Sequence, residues 1–178
     1  MELEELGDDH YTLVARRFLA WTYEELGDVQ RYRELTEQNL EFARALGNKR
    51  MEARALGALG MLALGEGRTE DAVSLLRGSF RIDHELGFSI YVAIDLVRFA
   101  AVFVARGEAD TAARLLARAD ALREELGFAL ESWAVDERKR VLAAIPSTLD
   151  AASFAQAQEQ GRMLTIEEAV ALALEPAG

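Results

Sequence analysis

Two histidines are the residues in this chain whose type best suits acid–base or metal chemistry at neutral pH. His10 lies near the start, and His84 lies in the stretch "HELGF". A helical zinc site of this kind needs a second histidine four residues after the first, but that position is Phe88. We interpret His84 as a favourable contact at a helix C-terminus and His10 as a surface residue. Neither is predicted to be a catalytic base or a metal ligand.

Other residue patterns that support catalysis are also missing from the sequence. There is no cysteine, and no serine has a histidine at a recognisable spacing, so nucleophilic catalysis has no visible residues. The glycine-rich stretch "GALGMLALGEG" lacks the Lys-Ser/Thr pair of a phosphate-binding loop and follows no predicted strand. Acidic and mixed runs such as "TEQNLE" and "DERKR" are typical of solvated helix faces. The sequence therefore predicts a protein that is not an enzyme, with no metal site and no cofactor.

The net charge limits the kinds of molecule that the protein is expected to bind. A net charge of -11 opposes binding to nucleic acid and to anionic lipid. The absence of cysteine fits a reducing compartment, and the acidic start does not resemble a signal peptide. The apolar stretch 88–105 contains Asp95 and Arg98, each of which would cost roughly 2.5–3.5 kcal/mol at a bilayer centre. We expect a cytoplasmic protein with no membrane contact and no direct nucleic-acid contact.

Seven glycines stand on a twenty-residue grid, and the segments between them show the helical period of three or four residues. The seven are Gly7, Gly27, Gly47, Gly67, Gly87, Gly107 and Gly127. Glycine is favoured just past a helix end, where the backbone turns left-handed. Residues that can cap a helix start follow the glycines. These are Asp8, Asp9, Asp28, Asn48, Thr69, Ser89 and Asp110. The pattern predicts that each glycine ends one helix and that the next residues begin another.

Folding at these glycines produces helix hairpins of forty residues. The predicted hairpins are 8–47, 48–87 and 88–127. One hairpin cannot bury its own apolar surface, whereas stacked hairpins can. The alternative is an up-and-down helical bundle, which does not require such a regular repeat. Residues 1–7 are interpreted as the remnant of an upstream helix or as an N-terminal cap, and 128–178 as helices that complete and cap the array.

The hairpins resemble tetratricopeptide repeats. That motif places a large, a small and an aromatic residue on its first helix and an alanine five residues past the turn glycine. The matching positions are Leu96, Ala100, Phe103, Ala112, Leu116 and Ala119 in the third hairpin, Leu56, Gly60, Ala63, Ala72 and Leu76 in the second, and Ala20 and Tyr23 in the first. Tyr32 stands where alanine is usual, and the period is forty rather than thirty-four. The resemblance implies an all-α, tetratricopeptide-like α-α superhelix of about 40 residues per repeat with C-terminal capping helices.

The C-terminal region predicts further helices. One helix spans roughly 131–144 and is ended by Pro146. A second is opened by Ser147 or Thr148 and closed by Gly161.

A third C-terminal helix is predicted to begin near Thr165, which has with Glu168 the spacing of a capping box.

The run from "ARLLARADALREELG" to "TIEEAVALALE" resembles the end of a bacterial, largely actinobacterial family of multidomain regulators. In that family a predicted ATPase module joins a LuxR-type, SARP-type or cyclase domain to tetratricopeptide-like repeats. The resemblance covers residues 107–174 closely. It implies an architecture, because the motifs of the family's nucleotide-binding and DNA-binding domains are absent here.

In a tetratricopeptide array the first helix of each hairpin lines the concave groove, so the resemblance predicts which residues bind. These residues are Val14, Arg17, Trp21, Glu24, Arg54, Met61, Leu64, Ile94, Val97, Arg98, Ala101 and Val104. The row is apolar for a solvated face. The helix 88–106 is apolar almost all round, which is typical of a helix that is covered on every side. We therefore expect something to lie on the groove.

Three covers for the groove are compatible with the sequence. A partner protein segment, such as an amphipathic helix, would be anchored by Trp21 and Met61. The chain's own tail would bring Ala169, Leu172 or Leu174 back onto it. A second copy of the chain would form a two-fold dimer.

A small effector between apolar walls is a different kind of occupant. It would be steered by Asp95 and Arg98, or by Arg17 and Arg54. The simpler interpretation of Asp95 and Arg98 is an exposed i,i+3 ion pair that contributes only a few tenths of a kcal/mol.

The sequence as a whole predicts a non-catalytic module for protein–protein interaction or self-association. We expect it to be the C-terminal regulatory part of a larger bacterial transcriptional or signalling regulator. The alternative function is a small-molecule sensing domain with an apolar pocket.

Overall fold

The computed structural model describes residues 2–129, 132–145 and 149–174, with side chains from residue 9 onward except those of residues 10, 132 and 133. Within these ranges the chain forms nine helices and no strand, which confirms the all-α prediction. The helices are α1 (Glu2–Glu25), α2 (Val29–Ala45), α3 (Lys49–Gly65), α4 (Thr69–Glu85), α5 (Ser89–Ala105), α6 (Ala109–Leu126), α7 (Ser132–Ala144), α8 (Ala151–Met163) and α9 (Ile166–Leu174). Among the described residues, no helix has the length and hydropathy that crossing a membrane requires.

Six of the seven grid glycines end a helix as predicted. Their φ angles lie between +65° and +80°, in the left-handed region. The six are Gly27, Gly47, Gly67, Gly87, Gly107 and Gly127. No atom lies within 4 Å of the position that a Cβ would take at any of them. The backbone conformation, and not a lack of space, therefore requires glycine at these positions.

Gly7 is the exception, because α1 continues through it from Glu2 to Glu25. Glycine permits a turn without requiring one, and the segment "ELEEL" before it consists of good helix formers. The predicted boundary between residues 1–7 and the first hairpin is therefore not a helix boundary. Asp8 and Asp9 lie inside α1 and do not cap it.

The helix starts confirm two of the predicted caps. The side chain of Asp28 accepts a hydrogen bond from the Arg31 backbone N–H, and that of Asn48 accepts one from the Met51 N–H, both at 3.1 Å. In the next three helices the residue after the glycine again holds the cap position, but it makes no side-chain cap bond. Those residues are Arg68, Phe88 and Glu108. Thr69, Ser89 and Asp110 lie inside the first turn instead, because the repeated turn geometry fixes the cap position.

From α1 to α6, each helix packs against the next one along the chain. The largest apolar cluster centres on α5 and α6, where the Phe80 and Phe99 rings meet edge-on with centroids 5.7 Å apart. Gly60, which matches a tetratricopeptide position of the second hairpin, is a close helix contact, since a Cβ there would lie 2.8 Å from the Leu76 side chain of α4.

The last three helices pack back onto the third pair: α7 against α5, α8 along α6, and α9 against both. Asp150 caps α8 by accepting hydrogen bonds from the backbone N–H groups of Ala152 and Ser153. Pro146 and the predicted cap residues, Ser147 and Thr148, lie outside the described residues.

Gly161 lies inside α8 and does not end it, which corrects the prediction. A Cβ at Gly161 would lie 2.7 Å from the Cα of Arg114, so this glycine allows α8 to approach the backbone of α6. The predicted capping box before α9 is confirmed. The Thr165 N–H donates to Glu168 Oε2 at 2.8 Å, and the Glu168 N–H donates to Thr165 Oγ1 at 3.1 Å.

Candidate binding groove

A cavity of about 960 Å³ lies between α1, α2, α3, α5 and α7, and we refer to it as the groove. Its apolar wall comes mainly from α1 and α3 and is formed by Phe18, Trp21, Ala55, Ala58, Met61 and Leu62. Its polar side comes from α1, α2, α5 and α7, through Glu24, Tyr32, Asn39, Arg98 and Glu137. The groove thus joins an apolar surface to a set of polar groups, all of which except Glu24 are buried or half-buried.

Half of the groove residues predicted from the sequence line this cavity. They are Arg17, Trp21, Glu24, Arg54, Met61 and Arg98. The other six do not line it. Ile94 and Val97 are buried core residues, and Val14, Leu64, Ala101 and Val104 are half-buried outside the cavity. For the residues of α5, the reason is α7, which packs against this helix along the third pair.

The prediction that the apolar helix 88–106 is covered on every side is confirmed. Eleven of the seventeen residues of α5 are buried, and α4, α6, α7 and α9 pack around it. Part of this cover is the chain's own tail, since Ala169 is buried and Leu172 and Leu174 pack against the main apolar cluster. None of these three tail residues lines the groove.

The second helix of the first pair supplies groove residues that the sequence prediction missed. Tyr32, Thr36 and Asn39 follow one face of α2 and line the groove. They were missed because the tetratricopeptide resemblance assigns the groove to first helices alone. A signal was present, since Tyr32 occupies the position where the repeat usually has alanine.

Two arginines whose side chains have little exposed surface, Arg54 and Arg98, form the floor of the groove. The Arg54 guanidinium pairs with the Asp83 carboxylate, and its Cζ lies 3.3 Å from the centroid of the Tyr91 ring. Arg98 Nη1 donates to Asp95 Oδ1 at 3.1 Å.

The Asp95–Arg98 pair is buried, which corrects the interpretation of an exposed ion pair. Ser79 Oγ on α4 donates to Asp95 Oδ1 at 3.2 Å. Gly57 on α3 leaves the space that the Arg98 guanidinium occupies, since a Cβ there would overlap it. The charged pair is therefore held by three different helices.

Burial dominates the electrostatics of this floor. It raises the pKa of Asp83 to about 7, although Arg54 opposes the shift. It also raises the pKa values of Asp95 and Glu137, against the effect of Arg98 in both cases. Protonation of these carboxyl groups therefore extends to higher pH than in water.

Glu24 and Glu137 bring carboxylates to the groove from α1 and α7. Glu137 on α7 is buried, with Oε2 3.8 Å from Arg98 Nε. Glu24 on α1 lies near Tyr32, and desolvation raises the pKa of Glu24 while Arg140 of α7 lowers it. The same burial, together with Glu24, raises the pKa of Tyr32.

The chemistry of the groove is suited to binding. His84 is exposed on α4 and does not line the groove, and the side chain of His10 lies outside the described residues. Within the part of the chain that the structure describes, no three histidine, aspartate or glutamate side chains are placed to hold a metal ion. Among those same residues, Trp21 Nε1 and Asn39 Oδ1 are buried without a hydrogen-bond partner. They are an unpaired donor and an unpaired acceptor, and each has almost no exposed surface.

Comparison of the chain with protein-family models, curated proteins and solved structures found no match in any of the three. The resemblance of residues 107–174 to the bacterial regulators therefore stays a prediction.

Proposed function

We propose that the helix pairs form a tetratricopeptide-like superhelix whose groove binds a helical segment of another protein. The six left-handed glycine turns at twenty-residue intervals support this fold, because they give consecutive pairs the same geometry. The proposed module is non-catalytic, and its affinity comes from apolar contacts with the wall of the groove.

The main support for this proposal is that α7 covers the surface of α5, whereas the surface of α1 and α3 in the groove stays open. α7 lies along α5 and buries Ala134, Glu137 and Val141, which are spaced along one helical face. Beside α1 and α3, Trp21 and Met61 face the open cavity instead. A partner helix with apolar residues at the same spacing would extend this arrangement over the first two pairs.

The polar atoms of the groove make the proposal more specific. Trp21 Nε1 and Asn39 Oδ1 have no partner among the described residues, and a buried unpaired polar atom costs about 1–3 kcal/mol. We therefore propose that binding moves the side chains that cover these two atoms. The partner helix would then pair them with a donor and an acceptor, such as those of an amide or a hydroxyl, between its apolar anchors.

The test is selection of helical peptides from a displayed library of random 16-residue segments against the whole chain. We expect enrichment of peptides with apolar residues every three or four positions. Their affinity should fall at least tenfold for Met61→Asp, which puts a charge on the wall. It should also fall for Ala58→Arg, which fills the cavity. Ile90→Asp is the matched control, because Ile90 is exposed on α5 outside the groove. Equal binding to all variants with unchanged melting temperatures would contradict the proposal.

A small apolar effector is the second candidate, and the size of the groove favours it. Its volume of about 960 Å³ lies within the range of roughly 300–1,000 Å³ that is typical of ligand sites. An effector should raise the melting temperature saturably as its concentration increases. A panel of apolar metabolites tested on the wild type and on Ala58→Arg separates the two functions. A small-molecule effector is supported if a metabolite raises the melting temperature of the wild type saturably but not that of Ala58→Arg, and if the peptide library yields no enriched sequence.

We also propose, from the resemblance of residues 107–174, that the module is the C-terminal regulatory part of a larger cytoplasmic bacterial regulator of transcription or signalling. Occupation of the groove would favour one arrangement of the helices and bias an attached effector domain. The native gene upstream of Met1 tests this. A nucleotide-binding or helix-turn-helix module encoded there supports the proposal, and an in-frame stop codon directly upstream contradicts it.

A further inference from the structure

A buried carboxylate without a hydrogen bond lines one end of the groove. It belongs to Glu137 of α7, whose side chain is only 9% exposed. A carboxylate can accept about four hydrogen bonds, but Glu137 makes none with the residues that the structure describes. Its ion pair with Arg98 Nε spans 3.8 Å, which is too long for a hydrogen bond. A charge buried in this way is costly unless a donor reaches it.

The Glu137 oxygens differ from the two unpaired atoms described above, Trp21 Nε1 and Asn39 Oδ1. Those two atoms are fully enclosed, whereas neither oxygen of Glu137 is both enclosed and unpaired. The carboxylate therefore keeps some surface in the groove, and a group that lies there can reach it.

A second carboxylate and a phenol lie at the same end of the groove. Glu24 of α1 is exposed and lines the groove, and Tyr32 of α2 lines it as well. The charge of Glu24 adds to the raised pKa of Glu137, and both carboxylates contribute to the raised pKa of Tyr32. The three side chains are therefore within electrostatic range of each other. We refer to Glu24, Tyr32 and Glu137 as the acidic end of the groove.

The arginines near the acidic end do not neutralise it. Arg98 already pairs with Asp95, which does not line the groove. Arg140 of α7 is exposed, and its Nε donates to the backbone carbonyl of Asp136 in its own helix at 3.4 Å. Desolvation raises the pKa values of both carboxyl groups of the acidic end, although the two arginines lower them. The positive charge already present is therefore too small to offset their desolvation.

Two aromatic side chains beside these carboxylates have no cation on their rings. Trp21 lies one helical turn before Glu24, and Tyr32 is part of the acidic end. Arginines of the chain itself already lie on the rings of Phe18 and Tyr91, the other aromatic residues of the groove. Within the described ranges, no arginine or lysine lies in this way on Trp21 or Tyr32. The face of an aromatic ring attracts a cation.

We propose that the helical partner of the groove carries a lysine or an arginine that pairs with Glu137 and Glu24 beside Trp21. This inference rests on the proposed function of the groove and adds the charge of the partner to it. A basic side chain supplies both the missing positive charge and the missing hydrogen-bond donors. Its apolar stem can lie against Trp21 while its charged end reaches the carboxylates.

The peptides selected from the random library test the charge of the partner. We expect a lysine or an arginine at one fixed position, three or four residues from an apolar anchor, because this spacing puts both on one face of the helix. Replacement of that residue by norleucine should lower the affinity for the wild type at least tenfold. An acidic residue at this position, or no preference for any residue type, would overturn the inference.

A double-mutant cycle locates the contact. Glu137→Gln removes the charge with little change of shape. It should lower the affinity of the basic peptide at least tenfold and change that of the norleucine peptide less than twofold. Glu24→Gln is the second variant, at an exposed position where folding is not at risk. It should lower the affinity of the basic peptide at least threefold.

Glu37→Gln is the matched control for charge. Glu37 is exposed on α2 and does not line the groove, so the variant makes the same change of net charge away from the site. At about 150 mM salt, where charges are screened over about 8 Å, it should change the affinity less than twofold.

The inference and the proposed function fail in different ways. Selected peptides that lose affinity with Met61→Asp, but bind Glu137→Gln and Glu24→Gln as tightly as the wild type, would overturn this inference alone. A library that yields no enriched peptide would overturn both.

Discussion

The floor of the groove depends on the absence of a single side chain. Gly57 provides the space for the Arg98 guanidinium, and Ser79 Oγ lies 3.2 Å from the position of the missing Cβ. Arg98 in turn pairs with Asp95 from its own helix and with Glu137 from α7. This glycine therefore acts on the placement of a buried charge, and not on the path of the backbone.

We expect Gly57→Ala to lower the free energy of unfolding by about 1–3 kcal/mol, the usual cost of overpacking a core. Gly65→Ala is the control in the same helix. No atom lies within 4 Å of its Cβ position, so alanine should be neutral or stabilise by up to about 1 kcal/mol. Urea denaturation measures both. A Gly57→Ala protein as stable as Gly65→Ala would contradict the assigned position of Arg98.

The buried carboxyl group of Asp83 predicts a dependence of stability on pH. Burial raises its pKa to about 7 in the folded state, from an ordinary value of 3.8, in a setting shared with Arg54 of α3 and with Asp95 and Arg98 of α5. Between these values the folded protein holds a proton that the unfolded chain has released. Stability therefore falls as the pH rises through this window.

We expect the melting temperature to fall between pH 5 and pH 8 and the fall to become smaller in Asp83→Asn. Glu85→Gln is the control, because it removes one charge from an exposed position on the same helix. Its slope should match that of the wild type. A melting temperature that rises over this range would contradict the raised pKa.

The location of the Asp95–Arg98 pair shows a limit of sequence reasoning at this scale. The i,i+3 spacing predicts that the two side chains meet, and they do. Spacing alone does not say whether the pair faces water. The signal for burial of the pair was that α5 is apolar on all sides. A helix of this kind is usually covered all round, so a charged pair on it is buried as well.

Turns and caps belong to the scale of the elements, where the sequence was most informative. A left-handed residue is a strong requirement on the backbone, so six of the seven grid glycines predicted a helix end correctly. Gly7 and Gly161 do not end a helix. The residue type alone does not distinguish a glycine inside a helix from a glycine in a turn. At Gly161 the cause is the close approach of α6, which depends on tertiary packing and has no local signal.

The two classes of glycine should respond to alanine with opposite signs. Gly47→Ala places a Cβ on a residue with a φ of +65° and should cost about 1–2 kcal/mol. Gly7→Ala falls inside α1 and should stabilise by about 0.5–1 kcal/mol. Thermal unfolding of the two variants compares them. A destabilised Gly7→Ala would mean that α1 turns at this residue after all.

At the scale of the whole molecule, the repeat register accounts for what is covered and what is open. It predicted the order of the helix pairs, whereas the apolar composition of 88–106 predicted the burial of α5. The register did not predict that α7 would pack against α5 or that Ile94 and Val97 would be core residues. The period of the first six helices carries no information about where the last three helices pack.

The same register places the open groove beside the first two helix pairs. The groove beside α1 and α3 lacks the cover that α7 gives to α5.

The most direct measurement of the groove proposal is the fluorescence of Trp21. The chain has two tryptophans, so Trp133→Phe leaves Trp21 as the only reporter, and Trp21 lines the groove. Titration with a selected helical peptide that lacks tryptophan should shift its emission to shorter wavelength with a one-to-one endpoint. The shift should disappear when Ala58→Arg is added. A peptide that binds with the same affinity while the Trp21 emission stays unchanged would contradict a binding site in the groove.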